Sequence, residues 1–204
     1  MSRKFTKLVK DIRACRICRD QPQGSALAHE PRPVLRVSAT ARIVICGQAP
    51  GTRVHESGVP FTDPSGDRLR QWMNVSADEF YDEARIAIVP MGFCFPGLDA
   101  KGGDLPPRRE CAPRWRADVF EHLEAAELVL LVGQYAQKWH LGAASASSLT
   151  ETVRQWRHYA DMTPCFVPTP HPSWRNNAWL KRNPWFETEV LVFVQQRVRR
   201  LLEE

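Results

Sequence analysis

Two pairs of cysteines and a histidine between prolines are the residues of this 204-residue chain whose types and spacing could do chemistry. Cys15 and Cys18 form a C-x-x-C in "CRIC", and Cys94 and Cys111 bracket the Pro- and Gly-rich stretch "CFPGLDAKGGDLPPRREC". C-x-x-C lets two thiolates converge on one ion from a tight turn, and two more from a distant loop would close a tetrahedral four-sulfur site. Zinc, an iron-sulfur cluster and no metal at all each suit that spacing. A thioredoxin-like redox pair suits it less, because this C-x-x-C follows a helical pattern and not the first strand of a βαβ unit. Cys46 and Cys165 sit inside apolar runs and read as small buried residues.

The histidine is His171 in "PTPHPSWRNNAW", held rigidly by the prolines on either side, with Ser173 and Asn176 within the next turn. A second stretch, "GQAPGTRVHESGVPF", contains Gly47, Gln48, Ala49, Pro50 and Gly51 at its start, His55 and Glu56 in its middle and Phe61 at its end. A run so rich in turn formers, leaving an apolar segment, belongs where backbone approaches a ligand closely.

The elements that must position these residues are legible in the apolar runs. "ARIVICG", "RIAIVPM" and "ELVLLVG", with a weaker fourth run "PCFVPTP", are of strand length and nearly continuous in apolar residues, as parallel strands covered on both faces require. Helical patterns fall between them, at Ser65 to Met73, Ala77 to Ala84, Arg108 to Glu124, Tyr135 to Leu141 and Leu149 to Tyr159. "SADE" at Ser76 to Glu79 has the form of a capping box. Amphipathic helices are expected at 3 to 14, with Phe5, Leu8, Val9 and Ile12 on one face, and at Trp185 to Leu202. Residues 19 to 40 read as polar and Pro-rich, and Phe95 to Pro107 as a structureless loop too long to be an idle connection. Alternating strand and helix predicts an α/β fold of three layers, with a mainly parallel four-stranded sheet in the middle. A single domain over 1–204 follows. Ligands of such sheets bind beyond the carboxyl ends of the strands, where both "GQAPG" and "HPS" stand.

Composition narrows the partners. A formal charge of +5 leans toward an anionic partner. No run approaches the ~20 apolar residues of a membrane span, and the first residues lack the apolar core of a signal peptide. The expectation is a cytoplasmic, monomeric protein without a membrane partner, and in that reducing compartment the cysteines are not a disulfide framework. "GQAPG" lacks the lysine and hydroxyl of a phosphate-binding P-loop.

Together, "GQAPG" with "PFTDPSGDRLRQW" after it, "GFC" leading to "PPRREC", "LLVG" before a helix and the late "HPSWRN" resemble the uracil-DNA glycosylase superfamily. The cysteine arrangement is similar to that of its family 4 enzymes, which carry a four-iron four-sulfur cluster. The likeness runs in order from Cys15 to Asn176. It implies Cys15, Cys18, Cys94 and Cys111 as ligands of a [4Fe-4S] cluster, with zinc as the lesser alternative, pinning the N-terminal helix to the Phe95 to Pro107 loop. Lys101, Arg108 and Arg109 would then lie beside DNA.

The implied reaction extrudes a base from DNA and breaks its bond to C1′ through a cationic sugar and an anionic base. It needs a donor for the base, an anion or positioned water near C1′, and an aromatic surface for the ring. By the resemblance His171 stabilises the departing base and Phe61 stacks on it. Gln48 and Ala49 contact the base or position water. Ser173 and Asn176 grip flanking phosphates or the nucleotide, and Trp174 to Asn177 enter the duplex. Two departures matter. Gln48 stands where family 4 relatives carry glutamate, so Glu56, with His55 as the alternative, is nominated to face the sugar. Pro90 stands where relatives carry a base-reading asparagine, which leaves Gln48 or the backbone of Met91 and Gly92 to read the base. The expected substrate is DNA containing uracil, or another deaminated base such as hypoxanthine or xanthine, bound at the nucleoid. The rival reading is an iron-sulfur DNA-binding protein that excises nothing.

Overall fold

Residues 2–203 are described in the computed structural model. Four strands, β1 (Ile43–Cys46), β2 (Ile86–Ile88), β3 (Leu128–Val132) and β4 (Cys165–Thr169), form one sheet in the order β2-β1-β3-β4, with every neighbouring pair parallel. Register aligns Ile43 with Ile86 and Leu128, and Leu128 with Cys165. All four expected strands are present, each shorter than its apolar run.

Alternation along the strands builds two cores. Val44, Cys46, Ala87, Val89, Val129 and Leu131 face α1 (Arg3–Arg13), α6 (Cys111–Phe120) and α7 (Gln134–Leu141). Ile43, Ile45, Ile86, Ile88, Leu130 and Val167 face α4 (Pro64–Met73), α8 (Leu149–Arg154), α9 (Trp156–Ala160) and α11 (Val192–Glu203). Helices cover both faces, which makes the fold an α/β structure of three layers. No helix among the described residues is long and apolar enough to cross a membrane.

Local chemistry sets the element ends. Ser2 caps α1 by accepting from the Phe5 amide, and Phe5, Val9 and Ile12 are its buried stripe. The capping box at Ser76 and Glu79 is formed in both directions, but α5 (Ala77–Tyr81) stops short of Ala84, where Asp82 turns the chain by accepting from the Ala84 amide. The helix expected over Leu149 to Tyr159 is two, broken at Gln155, and the one expected over Trp185 to Leu202 opens with a π-helical turn, Phe186–Leu191.

Three stretches read as loops are more ordered than their composition suggests. Thr52–Ser57 inside "GQAPGTRVHESGVPF" is a short helix, α3, hidden from sequence because it buries only Val54 and lies between turn formers. Arg36 exchanges two backbone hydrogen bonds with Ile88, so the Pro-rich segment covers the edge of β2. In Phe95 to Pro107, Leu98 and Asp104 pair antiparallel, while the Asp99 side chain accepts from the amides of Lys101 and Gly103.

Candidate active site

At the carboxyl ends of β1 and β4 lies a cavity of about 60 Å3, lined by Gly47 through Gly51, Phe61, Asp63, Ser65, Pro90, Asp104 and His171 together with apolar neighbours. Segments far apart in sequence meet here because pairing continues past the strand ends. The Val89 amide donates to Ile45, that of Met91 to Gly47 and that of Gly92 to Gln48. The Met91 and Gly92 amides are therefore occupied by the Gly47 and Gln48 carbonyls.

Phe61 adopts a left-handed backbone conformation, φ +56°, a strain on the order of 1 kcal/mol for a bulky residue. Its carbonyl is held by Arg70 and by the Tyr81 hydroxyl, and its ring meets Phe80 edge-on with centroids 6.0 Å apart. Gly66 makes the turn feasible, since a Cβ there would stand 1.9 Å from the Phe61 oxygen. At Gly47 and Gly51 the space of the missing side chains is taken by protein groups. A Cβ at Gly47 would meet the Phe61 ring at 3.3 Å, and one at Gly51 would meet the Asp104 carboxylate at 3.4 Å.

His171 sits half-buried after β4. Burial lowers its pKa below the usual histidine value and nearby Asp63 only partly opposes this, so the imidazole is neutral at pH 7 and holds one N–H to donate. Asn176 donates to the His171 carbonyl at 2.7 Å, Ser173 caps the following 3-10 turn (Trp174–Asn176), and Arg68 from α4 donates to the Ser173 carbonyl. Ser173 and Asn176 thus brace the histidine loop and do not line the cavity. Trp174 stands 70% exposed beside Arg175.

Glu56 and His55 lie outside the cavity. Glu56 is exposed on α3, with its backbone carbonyl accepting from Arg32. His55 packs against His29 and Phe95, and burial lowers its pKa. The acids that reach the cavity are Asp63 and Asp104, neither singled out by the motifs. Asp63 Oδ1 accepts from the Gly66 amide at 3.1 Å and from Ser65 Oγ at 2.5 Å, as the N-cap of α4. Asp104, exposed as a whole residue at the cavity mouth, accepts no hydrogen bond among the described residues, and partial burial of its carboxylate raises its pKa, countered in part by Arg175. "TDPSG" carried the signal of a helix cap; nothing local in "GGDLP" marked Asp104 as reaching Gly51.

Pro90 offers the cavity no side-chain hydrogen bond, and its carbonyl accepts from Arg116 at 2.9 Å, as does that of Val89. Arg116 is 1% exposed and also contacts Cys46 Sγ and, at 2.6 Å, His140 Nε2. A buried cation without a carboxylate partner among the described residues fixes the cavity wall from behind. It also keeps its neighbour neutral: burial and then the Arg116 charge bring His140 down to about 3.

The thiols of Cys18, Cys94 and Cys111 are buried and that of Cys15 half-buried, and they lie close enough that charge on one would raise the pKa of another. Burial is the largest cause of the upward shifts, to about 11 at Cys18. The Phe93 amide donates to Cys111 Sγ and Trp115 Nε1 to Cys15 Sγ, each at 3.3 Å. Glu110, next to Cys111, is held by Arg108 at 2.8 Å. Four soft donors with N–H groups aimed at sulfur fit an iron-sulfur cluster or zinc. Among the described residues no three His, Cys, Asp or Glu side chains form a metal-ligating group, so that fit rests on donor chemistry and shared burial.

A parallel sheet with a polar and aromatic cavity at its carboxyl edge places a ligand site where open α/β sheets bind theirs, and comparison with known families names the class. Residues 35–195 match the family described as the Uracil DNA glycosylase superfamily, and the chain belongs to it. The protein is accordingly a DNA glycosylase, a hydrolase that binds DNA and acts on N-glycosyl bonds. The matched span contains Cys94 and Cys111 but begins after Cys15 and Cys18.

Proposed function

We propose that the protein removes uracil from DNA, with tolerance for other deaminated bases, and leaves an abasic site for base excision repair. The observation that carries this reading is the meeting of Phe61, Gln48, two carboxylates and a neutral His171 around one cavity. The extruded base stacks on Phe61. As the bond from C1′ to the base nitrogen breaks, its electron pair moves onto the base, and the His171 N–H donates to the oxygen where that charge gathers. Water attacks C1′ as the new C–O bond forms, and Asp104, unencumbered by hydrogen bonds, takes the proton from water. The charges of Asp104 and Asp63 stabilise the sugar cation.

Gln48 is the only side-chain amide among the described residues lining the cavity, and Pro90 offers no side-chain hydrogen bond, which favours tolerance among deaminated bases over strict uracil selection. Cys15, Cys18, Cys94 and Cys111 would hold a [4Fe-4S] cluster, which would supply a cross-link between the segment after α1 and the loop after β2. Trp174 enters the DNA stack to fill the space of the extruded base.

Base release from single- and double-stranded oligonucleotides carrying one uracil, hypoxanthine or xanthine tests the reading. Wild type releases uracil, and His171→Ala loses about 10²–10³-fold in rate while remaining folded. Salt-sensitive DNA binding with no release of any of the three bases would establish the non-excising alternative.

A further inference from the structure

We propose that a second groove beside the cavity holds the DNA strand flanking the extruded nucleotide, an inference that rests on the glycosylase reading above. The groove has a volume of about 520 Å3 and lies between the "PPRRECAP" segment and α7, with Met91, Pro107, Arg109, Tyr135, Lys138 and Trp139 among its lining. Three features identify its occupant.

The first is charge. Arg108, Arg109 and Lys138 line the groove, and no carboxylate among the described residues does. Arg108 is tied to Glu110 and to the Ser25 carbonyl. Arg109 and Lys138 are exposed and make no ion pair among the described residues, whereas arginines elsewhere, such as Arg42, Arg157 and Arg199, reach carboxylates. The second is the aromatic surface. Trp139 is 44% exposed on α7, whose other face is buried through Ala136, Gln137 and Leu141. An open indole in a groove that two cations also line is a surface on which a single-stranded base stacks while its phosphates are neutralised.

The third is continuity. Pro90 lines the cavity and the next residue, Met91, lines the groove. Gly92 closes the wall between them, since a Cβ there would meet Pro107 at 3.2 Å and Ala49 at 3.5 Å. The start of α7 is also next to the histidine loop, because a Cβ on Gly133 would lie 3.8 Å from that of His171. A strand leaving the cavity over Gly92 and Pro107 therefore runs directly onto Arg109, Lys138 and Trp139.

The test measures binding of single-stranded oligonucleotides that carry a hydrolysis-resistant 2′-fluorinated deoxyuridine, with flanks of increasing length. Wild-type affinity should rise as the flanks lengthen. Trp139→Ala should weaken binding of the long strand about tenfold and Trp139→Phe should restore most of it. The Arg109→Ala, Lys138→Ala double variant should flatten the dependence of log Kd on log salt by about 1.4, the value for two single-strand phosphates. Affinity within twofold of wild type with an unchanged salt slope overturns the proposal, as does a Trp139 effect that ignores flank length. If the Trp139 and salt effects appear but wild type releases no base, the groove stands and the glycosylase reading fails.

Discussion

Asp104 and Glu56 separate what a motif suggests from what a cavity contains. Both acids are exposed, but Glu56, close in sequence to "GQAPG", stands on α3 outside the cavity, while Asp104 arrives from a loop more than fifty residues downstream and lines the cavity against Gly51. Asp104→Asn should therefore reduce single-turnover base release by about 10²–10³-fold with DNA affinity retained, and Glu56→Gln should stay within about twofold. The opposite ranking would return the sugar-facing role to α3. Asp63 carries a structural duty that complicates its own substitution, because losing its N-cap costs about 1 kcal/mol of stability independently of chemistry.

At the scale of elements, the loop after β2 is the joint on which the site depends. It supplies Pro90 to the cavity, Met91 to the neighbouring groove, Cys94 and Cys111 to the thiol cluster, and Asp104 to the cavity mouth. On the proposed cluster, Cys94→Ala should lower thermal stability and DNA affinity together, with metal content of variant and wild type measured on the same preparations. Full retention of both would mean that the hairpin through Leu98 and Asp104 holds the loop without help from the cysteines.

For the molecule as a whole, the partly buried histidines shape the response to acid. His140 has a folded-state pKa of about 3 against an unfolded value of 6.5, so the unfolded chain binds the proton first as pH falls. Its contribution to stability is fully present above pH 6.5 and is lost progressively as pH drops toward 3. His171 and His55 are shifted in the same direction. The urea midpoint should fall steadily between pH 6.5 and 4, and His140→Gln, which keeps an acceptor for Arg116, should reduce that slope.

Much of this molecule was determined by the sequence alone. Near-continuous apolar runs separated by helical periods dictate a parallel sheet covered on both faces, because such strands have no polar side to present to water. The order of the motifs placed "GQAPG" and His171 at the strand ends, and the structure brings Gln48, His171 and Phe61 to one cavity. Only the tertiary structure decided which acids join them, since the direction of an acid in a loop depends on contacts far away in the chain. Asp63 reaches the cavity from the N-cap of α4, and packing of the loop after β2 against Gly51 brings Asp104 to its mouth. It also decided that the glycines of "GQAPG" make room for Phe61 and Asp104, and that the Met91 and Gly92 amides are spent on the β1 extension. Periodicity reports which face of an element is buried, and it is silent on what another segment presses against that face.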